Sequence, residues 1–244
     1  MDDRWVVEER SGGAGVLHAR WPGTEAGPEV PRVAVCRATG SAVVLGSTQP
    51  AGTVDPGRAD AAGLEVVRRR SGGGAVLVTP DDPVWIDVWL PAGHALWRTD
   101  VGRAFDWLGD VWVRSLATCG VEGLTAHRSG YVSCTRWSSS VCFGGVGTGE
   151  VVTADGRKVV GLAQRRNRQG AWFHGACIVR WDPAPLVDVL AMDPEEREAA
   201  VDGLAGAVVG VEELLDSAGP SGGPRSWSTS ALVDAFVAAL PTSR

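Results

Sequence analysis

Apolar residues occur in short runs through residues 32–90, and Gly or Pro separates most runs from the next. Runs of four to eight residues rich in Val, with turn residues at their ends, are typical of β-strands. The pattern predicts five short strands, at residues 32–38, 42–47, 64–70, 74–80 and 84–90. We therefore expect a sheet in the first half of the chain.

The spacing becomes helical after residue 100. Apolar side chains three or four positions apart lie on one face of a helix, which here would follow Asp100 and end near Gly120. These side chains are Val101, Phe105, Leu108, Trp112 and Leu116. We expect this face to pack on the predicted sheet.

Strand patterning returns from residue 149. Asp155-Gly156 separates two apolar runs, and this dipeptide favours a type I′ turn, in which both central residues have positive φ. A further run at 171–181 completes a predicted three-stranded antiparallel meander. Alternation along the middle strand predicts one face with Lys158, Val160, Leu162 and Gln164 and the other with Val159, Gly161 and Ala163.

The last quarter of the chain is mostly helical in pattern. Residues 182–219 predict a short helix and a longer one that begins at the acids of "DPEE", and residues 229–240 predict a final helix after a loop at 220–228. The predicted fold class is α+β (α/β): mixed, largely antiparallel sheets flanked by helices. We expect residues 1–244 to form a single domain.

Composition narrows the class of partner. The chain is 44% hydrophobic and 21% charged, values typical of a globular protein, and its formal net charge is −6. This charge argues against a surface that binds nucleic acid or an anionic membrane. The acidic start "MDDRWVVEERSGG" lacks the features of a signal peptide, and no apolar run is long enough to cross a bilayer. We expect a cytoplasmic protein.

Cysteine and lysine usage points to candidate chemistry. The five cysteines have no CxxC pair and no His at metal-ligand spacing, so neither a metal site nor a disulfide framework is expected. Lys158 is the single lysine among 23 basic residues. A compact ammonium in an otherwise Arg-using chain suggests a site where a broad guanidinium would not serve, although a hairpin-surface lysine stays open as the alternative.

Three consecutive glycines follow a basic strand end in "RRRSGGGAV", residues 68–76. Glycine permits positive φ and close approach by a ligand, and successive backbone N–H groups can bind an anion or a carbonyl oxygen. The segment lacks the ending of a Walker A loop and is not a dinucleotide-binding fingerprint. A tight bend without a ligand is the alternative reading.

Motifs in a fixed order carry a family resemblance. "RRRSGGGAV" is followed by "GRKVVGLAQ" at 156–164 and by "FHG" at 173–175, and "AVVLGSTQ" at 42–49 precedes them. In this order the chain resembles the lipoate-protein ligase and octanoyltransferase family, whose catalytic-domain fold is shared with biotin-protein ligases. The resemblance implies the same fold here, over about residues 32–180.

The resemblance also implies a site. It assigns acyl-group binding to the glycine turn and to the two predicted strands that carry Lys158 and His174. The residues are Arg69, Arg70, Ser71, Gly72, Gly73, Gly74, Ala75, Gly161, Ala163, His174 and Gly175. "VCF" before the lysine strand is similar to the nucleophile segment of the cysteine-dependent octanoyltransferase branch, with Glu150 as an acid that the branch also has. Cys142 and Lys158 are therefore the expected catalytic residues, and no metal ligand is expected.

Several positions keep a structural alternative. Cys142 is either the nucleophile or a buried thiol, and His174 and Asp87 are either pocket or core residues. Val78 stands where the family commonly has His, which removes one polar contact. Trp85 or Trp89 is a candidate wall of an acyl tunnel.

The resemblance implies an acyltransferase of lipoic-acid metabolism. Cys142 would take an octanoyl or lipoyl group from an acyl carrier protein or another donor and pass it to a lysine of a lipoyl-domain acceptor, without a cofactor. The helical pattern after residue 181 favours this reading, since ligases of the family generally carry an accessory domain there. The alternatives are an ATP- and Mg²⁺-dependent ligase that forms an acyl-adenylate, and a catalytically silent paralogue that binds acyl chains or carriers.

Overall fold

The computed structural model describes residues 4–19, 30–217 and 227–241. Its strands are β1 (Val6–Gly12), β2 (Arg32–Ala38), β3 (Ala42–Leu45), β4 (Glu65–Arg68), β5 (Val76–Val78), β6 (Val84–Pro91), β7 (Thr125–Ala126), β8 (Val132–Ser133), β9 (Gly145–Val146), β10 (Val151–Val152), β11 (Lys158–Arg166) and β12 (Gly170–Cys177). Its α-helices are α1 (Ala14–Ala19), α2 (Pro56–Ala61), α3 (Asp106–Thr118), α4 (Ala184–Val187), α5 (Pro194–Ala205), α6 (Val211–Ser217) and α7 (Thr229–Ala238).

The strands form two principal sheets. The large sheet has the order β1-β2-β6-β12-β11-β10-β7, and only its β1–β2 pair is parallel. The small sheet has the order β4-β3-β5, with β4 parallel and β5 antiparallel to β3. A further pair, β8–β9, lies apart from both. The fold class is therefore the predicted α+β arrangement with a mostly antiparallel sheet.

The side chains of β3 show how the layers are stacked. Val43 and Leu45 point to a cluster that includes α4 and α5 residues, whereas Ala42 and Val44 point to a cluster with Trp85 of the large sheet. This two-residue alternation makes the small sheet apolar on both faces. The opposite face of the large sheet packs on α3 and α7 through the largest cluster. The two sheets thus face each other with helices outside them.

Most predicted elements are present with shorter bounds. All five early strands form, as does the β10–β11–β12 meander. The helix begins at Asp106 rather than near Asp100, because Asp100 instead accepts hydrogen bonds from the amides of Gly102 and Arg103 ahead of a 3₁₀ turn. Val101 is exposed and not part of the core.

Two details of the meander were predicted wrongly. Of the dipeptide Asp155-Gly156, only Gly156 has positive φ, at +88°, so the turn is not type I′. The amide of Gly156 donates to the carbonyl oxygen of Thr153, and the loop is therefore longer than the two residues predicted. The β10–β11 register also shifts by one residue between Val151 and Val152. A Cβ on Gly161 would lie 3.4 Å from Cε of Lys158, so both residues lie on the same face of β11. The predicted alternation had placed them on opposite faces.

The helical segments contain two further differences. Asp193 caps α5 by accepting from the amide of Glu196, as "DPEE" predicts, but α5 and α6 are separate helices. Between them, Ala207 and Val209 bond to the backbone of Lys158, which ends the helix. Strand β1 and helix α1 were not predicted, and most of the predicted 220–228 loop lies outside the described residues.

No helix in the described ranges is both long and apolar enough for a membrane span.

The glycine turn between β4 and β5 packs against the segment that carries Cys142. Gly73 has φ +97°, a conformation that favours glycine. After it, the amide of Ala75 donates to Ser140 at 2.7 Å, and the amide of Cys142 donates to Ala75 at 3.0 Å. A Cβ on Gly74 would lie 2.5 Å from the nitrogen of Cys142, so glycine at 74 is what allows the two backbones to meet.

We predict that Gly74→Ala lowers the free energy of unfolding by about 1–3 kcal/mol, because the added methyl group must push the two backbones apart. Gly40→Ala is the matched control, since a Cβ there meets no atom within 4 Å. Chemical denaturation of both variants measures the difference. Equal stability of the two variants would contradict the close packing.

Candidate functional site

Cys142 lies where two cavities meet. It opens a 3₁₀ turn (Cys142–Gly144), follows the contact with Ala75, and is partly exposed while Phe143 beside it is buried. Its side chain lines both an apolar slot between the two sheets and a more open mouth at the glycine turn. A thiol at such a junction can be reached from outside while the chain attached to it extends inward.

The apolar slot is narrow, with a cavity volume of about 50 Å³. One wall comes from β3 and β5 of the small sheet, the other from β6, β11 and β12 of the large sheet. The lining side chains and backbone belong to His18, Val44, Arg69, Val76, Val78, Pro83, Trp85, Cys142, Phe143, Gly161, Leu162, Ala163, His174, Gly175 and Ala176. A slot with mainly hydrocarbon walls suits a hydrocarbon chain.

The mouth is wider, and its lining includes the charged side chains of Lys158 and Glu150. It has a cavity volume of about 300 Å³, and it is lined by Gly72, Gly73, Gly74, Val101, Phe105, Tyr131, Ser138, Cys142, Gly145, Gly147, Glu150, Lys158, Leu162, Ala163 and Gln164. Val101 and Tyr131 at its rim are exposed. The mouth therefore has room for the group that approaches the cysteine.

Lys158 is buried and fully hydrogen-bonded. Its Nζ donates to the carbonyl oxygens of Cys142 at 3.1 Å and Gly145 at 3.0 Å, and it forms an ion pair with Glu150 at 2.7 Å. Burial by itself would lower the pKa of Lys158, but the Glu150 carboxylate and the nearby Cys142 thiol raise it, and the net pKa lies above the usual 10.5. The side chain is therefore a cation at neutral pH.

Glu150 is the acid that fixes this ammonium. Besides Lys158, it accepts hydrogen bonds from the amides of Gly147 at 2.6 Å and Leu162 at 2.8 Å. In the sequence, Glu150 was identified only as an acid that the family motif also has. No spacing rule pairs it with Lys158, because their contact depends on how the 142–150 segment crosses β11. The available signal in the sequence was an acid close to the chain's single lysine, which could have suggested Glu150 as its partner.

Arg69 is a second buried cation next to the cysteine. Its guanidinium donates to the carbonyl oxygens of Val44, Gly72 and Gly74 and so holds the glycine turn. Burial lowers the pKa of Arg69, and the Cys142 side chain, with which it interacts, partly offsets that effect. Two cations thus flank Cys142, one on the slot side and one on the mouth side.

His174 and Asp87 form a buried pair in the large sheet. His174 Nδ1 donates to Asp87 at 2.8 Å, and the indole N–H groups of Trp85 and Trp172 donate to the same carboxylate. His18 of α1 packs beside them, with its ring centre 5.2 Å from that of His174. Burial, with a contribution from His174, lowers the pKa of His18 to about 3, so His18 is neutral.

The structure brings most of the predicted residues to the two cavities. Arg69, Gly161, His174 and Gly175 line the slot, and Gly72, Gly73, Gly74 and Lys158 line the mouth; Cys142 and Ala163 line both. Arg70 is exposed, Ser71 and Ala75 are buried, and none of these three lines either cavity. Gly175 contributes backbone, since a Cβ there would point at Trp112 on the opposite face.

The tryptophan and Val78 predictions are also resolved. Trp85 lines the slot, whereas Trp89 packs on Trp172 away from it. Val78 lines the slot where a family His was expected, and His18, which the sequence reading did not select, lines it too. The short α1 gave no periodicity that would have singled out His18. No cluster of three His, Cys, Asp or Glu that could hold a metal occurs in the part of the chain described.

The fold is that of lipoate-protein ligase catalytic domains. A bi-partite lipoate protein ligase and its E2 lipoyl domain from Thermoplasma acidophilum gives a TM-score of 0.74 at 19% identity, over 98% of this chain and 82% of that one. A lipoate-protein ligase A bound with ATP gives 0.69 at 20% identity, over 98% and 84%. At these identities the likeness concerns the fold.

Sequence comparison assigns the family. Residues 24–240 match the lipoyl protein ligase A/B catalytic domain. The chain therefore belongs to this family, whose enzymes modify proteins with lipoyl or octanoyl groups. It is 30% identical to the octanoyltransferase LipM of Kyrpidia tusciae over 71% of this chain and 67% of that protein. It is 27% identical to LipM of an Exiguobacterium species over 64% of this chain and 56% of that protein.

We predict that Glu150→Gln lowers the free energy of unfolding at pH 7 by about 3–5 kcal/mol, because it leaves the buried Lys158 ammonium without its carboxylate. Since the folded-state pKa of Lys158 is raised, the pair's contribution is fully present below pH 10.5 and is lost as the pH rises through the folded-state value. Denaturation at pH 7 and above pH 10.5 measures both effects.

Glu212→Gln is the control for this prediction. Glu212 pairs with Arg180, whose side chain is 77% exposed, and loss of such a surface pair costs at most about 1 kcal/mol. The double variant Glu150→Gln/Lys158→Met should recover most of the loss, since it removes the unpaired charge. A Glu150→Gln variant as stable as Glu212→Gln would show that the buried pair does not stabilise the fold.

Proposed function

We propose that this protein is an octanoyl- or lipoyltransferase that works through a thioester on Cys142. The observation that carries the proposal is the position of Cys142, partly exposed at the junction of the apolar slot and the more open mouth. The sequence similarity to octanoyltransferases supports the same activity. The acyl chain would lie in the slot, and both carriers would approach through the mouth.

In the first step, the Cys142 thiolate attacks the carbonyl carbon of an octanoyl or lipoyl thioester on a carrier protein. The carbon–sulfur bond to the carrier breaks, and the carrier leaves as a thiol after taking up a proton. Two cations, Lys158 and Arg69, flank Cys142 during this step. The products of this step are free carrier and acylated Cys142.

In the second step, the ε-amine of a lysine on a lipoyl domain attacks the acyl-enzyme carbonyl. An amide bond forms, the bond to the Cys142 sulfur breaks, and the amine proton is released. The thiolate is thereby regenerated. This sequence needs neither ATP nor Mg²⁺, because the donor thioester is already activated.

The glycine turn supplies donors for the negative charge that develops on the carbonyl oxygen. The amides of Gly73 and Gly74 make no hydrogen bond to any described residue, and both residues line the mouth beside Cys142. Preorganised amides of this kind stabilise the oxyanion of acyl transfer. Lys158 adds its charge at the same place when it exchanges one backbone carbonyl for the oxyanion.

We predict that incubation with an octanoyl carrier protein, without acceptor, adds one octanoyl group to the protein. Peptide mass spectrometry should locate it on Cys142, and hydroxylamine should remove it, as expected of a thioester. Cys134→Ser, which removes an exposed cysteine outside both cavities, is the control and should acylate normally. An unmodified protein that instead releases pyrophosphate from ATP and octanoate would identify a ligase and overturn the proposal.

We predict that loss of the Lys158 charge lowers kcat about 10²-fold with little change in KM, since its charge acts mainly in the transition state. Lys158→Met is best measured in the Glu150→Gln background, where no buried carboxylate is left unpaired. The reference is the single Glu150→Gln variant. Equal kcat values for the double and single variants would mean that Lys158 is only structural.

A further inference from the structure

The slot contains two histidines that the transfer chemistry does not use. His18 of α1 and His174 of β12 both line it, and each side chain is more than nine-tenths buried. Nδ1 of His18 and Nε2 of His174 have no hydrogen-bond partner among the described residues. Buried polar atoms without a partner are costly, so their presence in a mainly apolar slot calls for a ligand group that pairs with them.

Asp87 fixes the hydrogen-bonding role of His174. Its carboxylate is hydrogen-bonded to Nδ1 of His174 and accepts from the indole N–H groups of Trp85 and Trp172. In the neutral imidazole one nitrogen carries the proton and the other is an acceptor. Asp87 therefore engages Nδ1 of His174, and Nε2 is the ring nitrogen left without a partner among the described residues.

His18 completes a complementary pair. Because it is neutral, its ring has one N–H donor and one acceptor nitrogen. Its ring lies edge-on to that of His174 at 70°, and Trp85 covers it at a centre distance of 4.5 Å. Both rings line the slot, so a polar group in the slot can hydrogen-bond to either of them.

We propose that the His18–His174 pair is a subsite for a protic group, a hydroxyl or a thiol, carried on the distal half of the acyl chain. Such a group can both donate and accept a hydrogen bond, so it can pair with an imidazole nitrogen in either role. This inference rests on the proposed function, since it takes the slot as the acyl-chain site with Cys142 at its outer end. It deepens that function by selecting among acyl groups.

Equilibrium binding tests the subsite without requiring transfer. Isothermal titration calorimetry would compare octanoic acid with octanoic acids that bear a hydroxyl on one of the last three carbons, and lipoic acid with dihydrolipoic acid, which has two thiols. The wild type should bind at least one protic member about three- to tenfold more tightly than its partner acid, the effect of one or two hydrogen bonds.

His18→Leu should remove this preference, because leucine fills similar space without a hydrogen-bonding nitrogen. His127→Leu, a histidine substitution outside the slot, should keep it. The proposal is overturned if plain octanoic and lipoic acids bind as tightly as every protic analogue, if His18→Leu retains the preference, or if no acid binds. Failure to form acyl-Cys142 from a carrier would instead refute the transfer mechanism and leave these binding ratios unaffected.

Discussion

The buried ion pair between Lys158 and Glu150 organises the site. Through it, one ammonium holds the carbonyl oxygens of Cys142 and Gly145, while the carboxylate holds the amides of Gly147 and Leu162. These contacts fasten the whole 142–150 segment to strand β11. An ammonium taken out of water is tolerated only with such partners, so the segment and the strand keep one relative position.

Close approach of backbones sets the other side of the site. The glycine turn meets the cysteine segment at Gly74, where a Cβ would not fit. Arg69 donates hydrogen bonds to the carbonyl oxygens of the same turn. Two sheets facing each other then leave the apolar slot between them, with the cysteine at its end. The arrangement gives Cys142 hydrocarbon walls on one side and Lys158 and Glu150 on the other, which is the division that the proposed acyl transfer would use.

Much of the fold follows from local patterns. Strands β2 to β6, the meander and the cap of α5 each depend on residues close together in the chain, and there the sequence prediction is confirmed. The errors in the helix start and in the turn at Gly156 are local, whereas the other errors lie where a distant segment intervenes. The register shift opposite Lys158 placed this residue on the face of Gly161, and the hydrogen bonds between Lys158 and the backbone of Ala207 and Val209 divided one predicted helix into two.

The sequence by itself determined the fold class and the family motifs, since these depend on residue type, order and periodicity, and the family resemblance made Lys158 and Cys142 the candidate catalytic residues. Only the tertiary structure decided that Glu150 is the partner of Lys158, that Arg69 lies beside Cys142, and that His18 faces His174. Those contacts join residues from different elements. Their geometry is set by sheet packing and by a bulge, neither of which leaves a periodic signal along the chain.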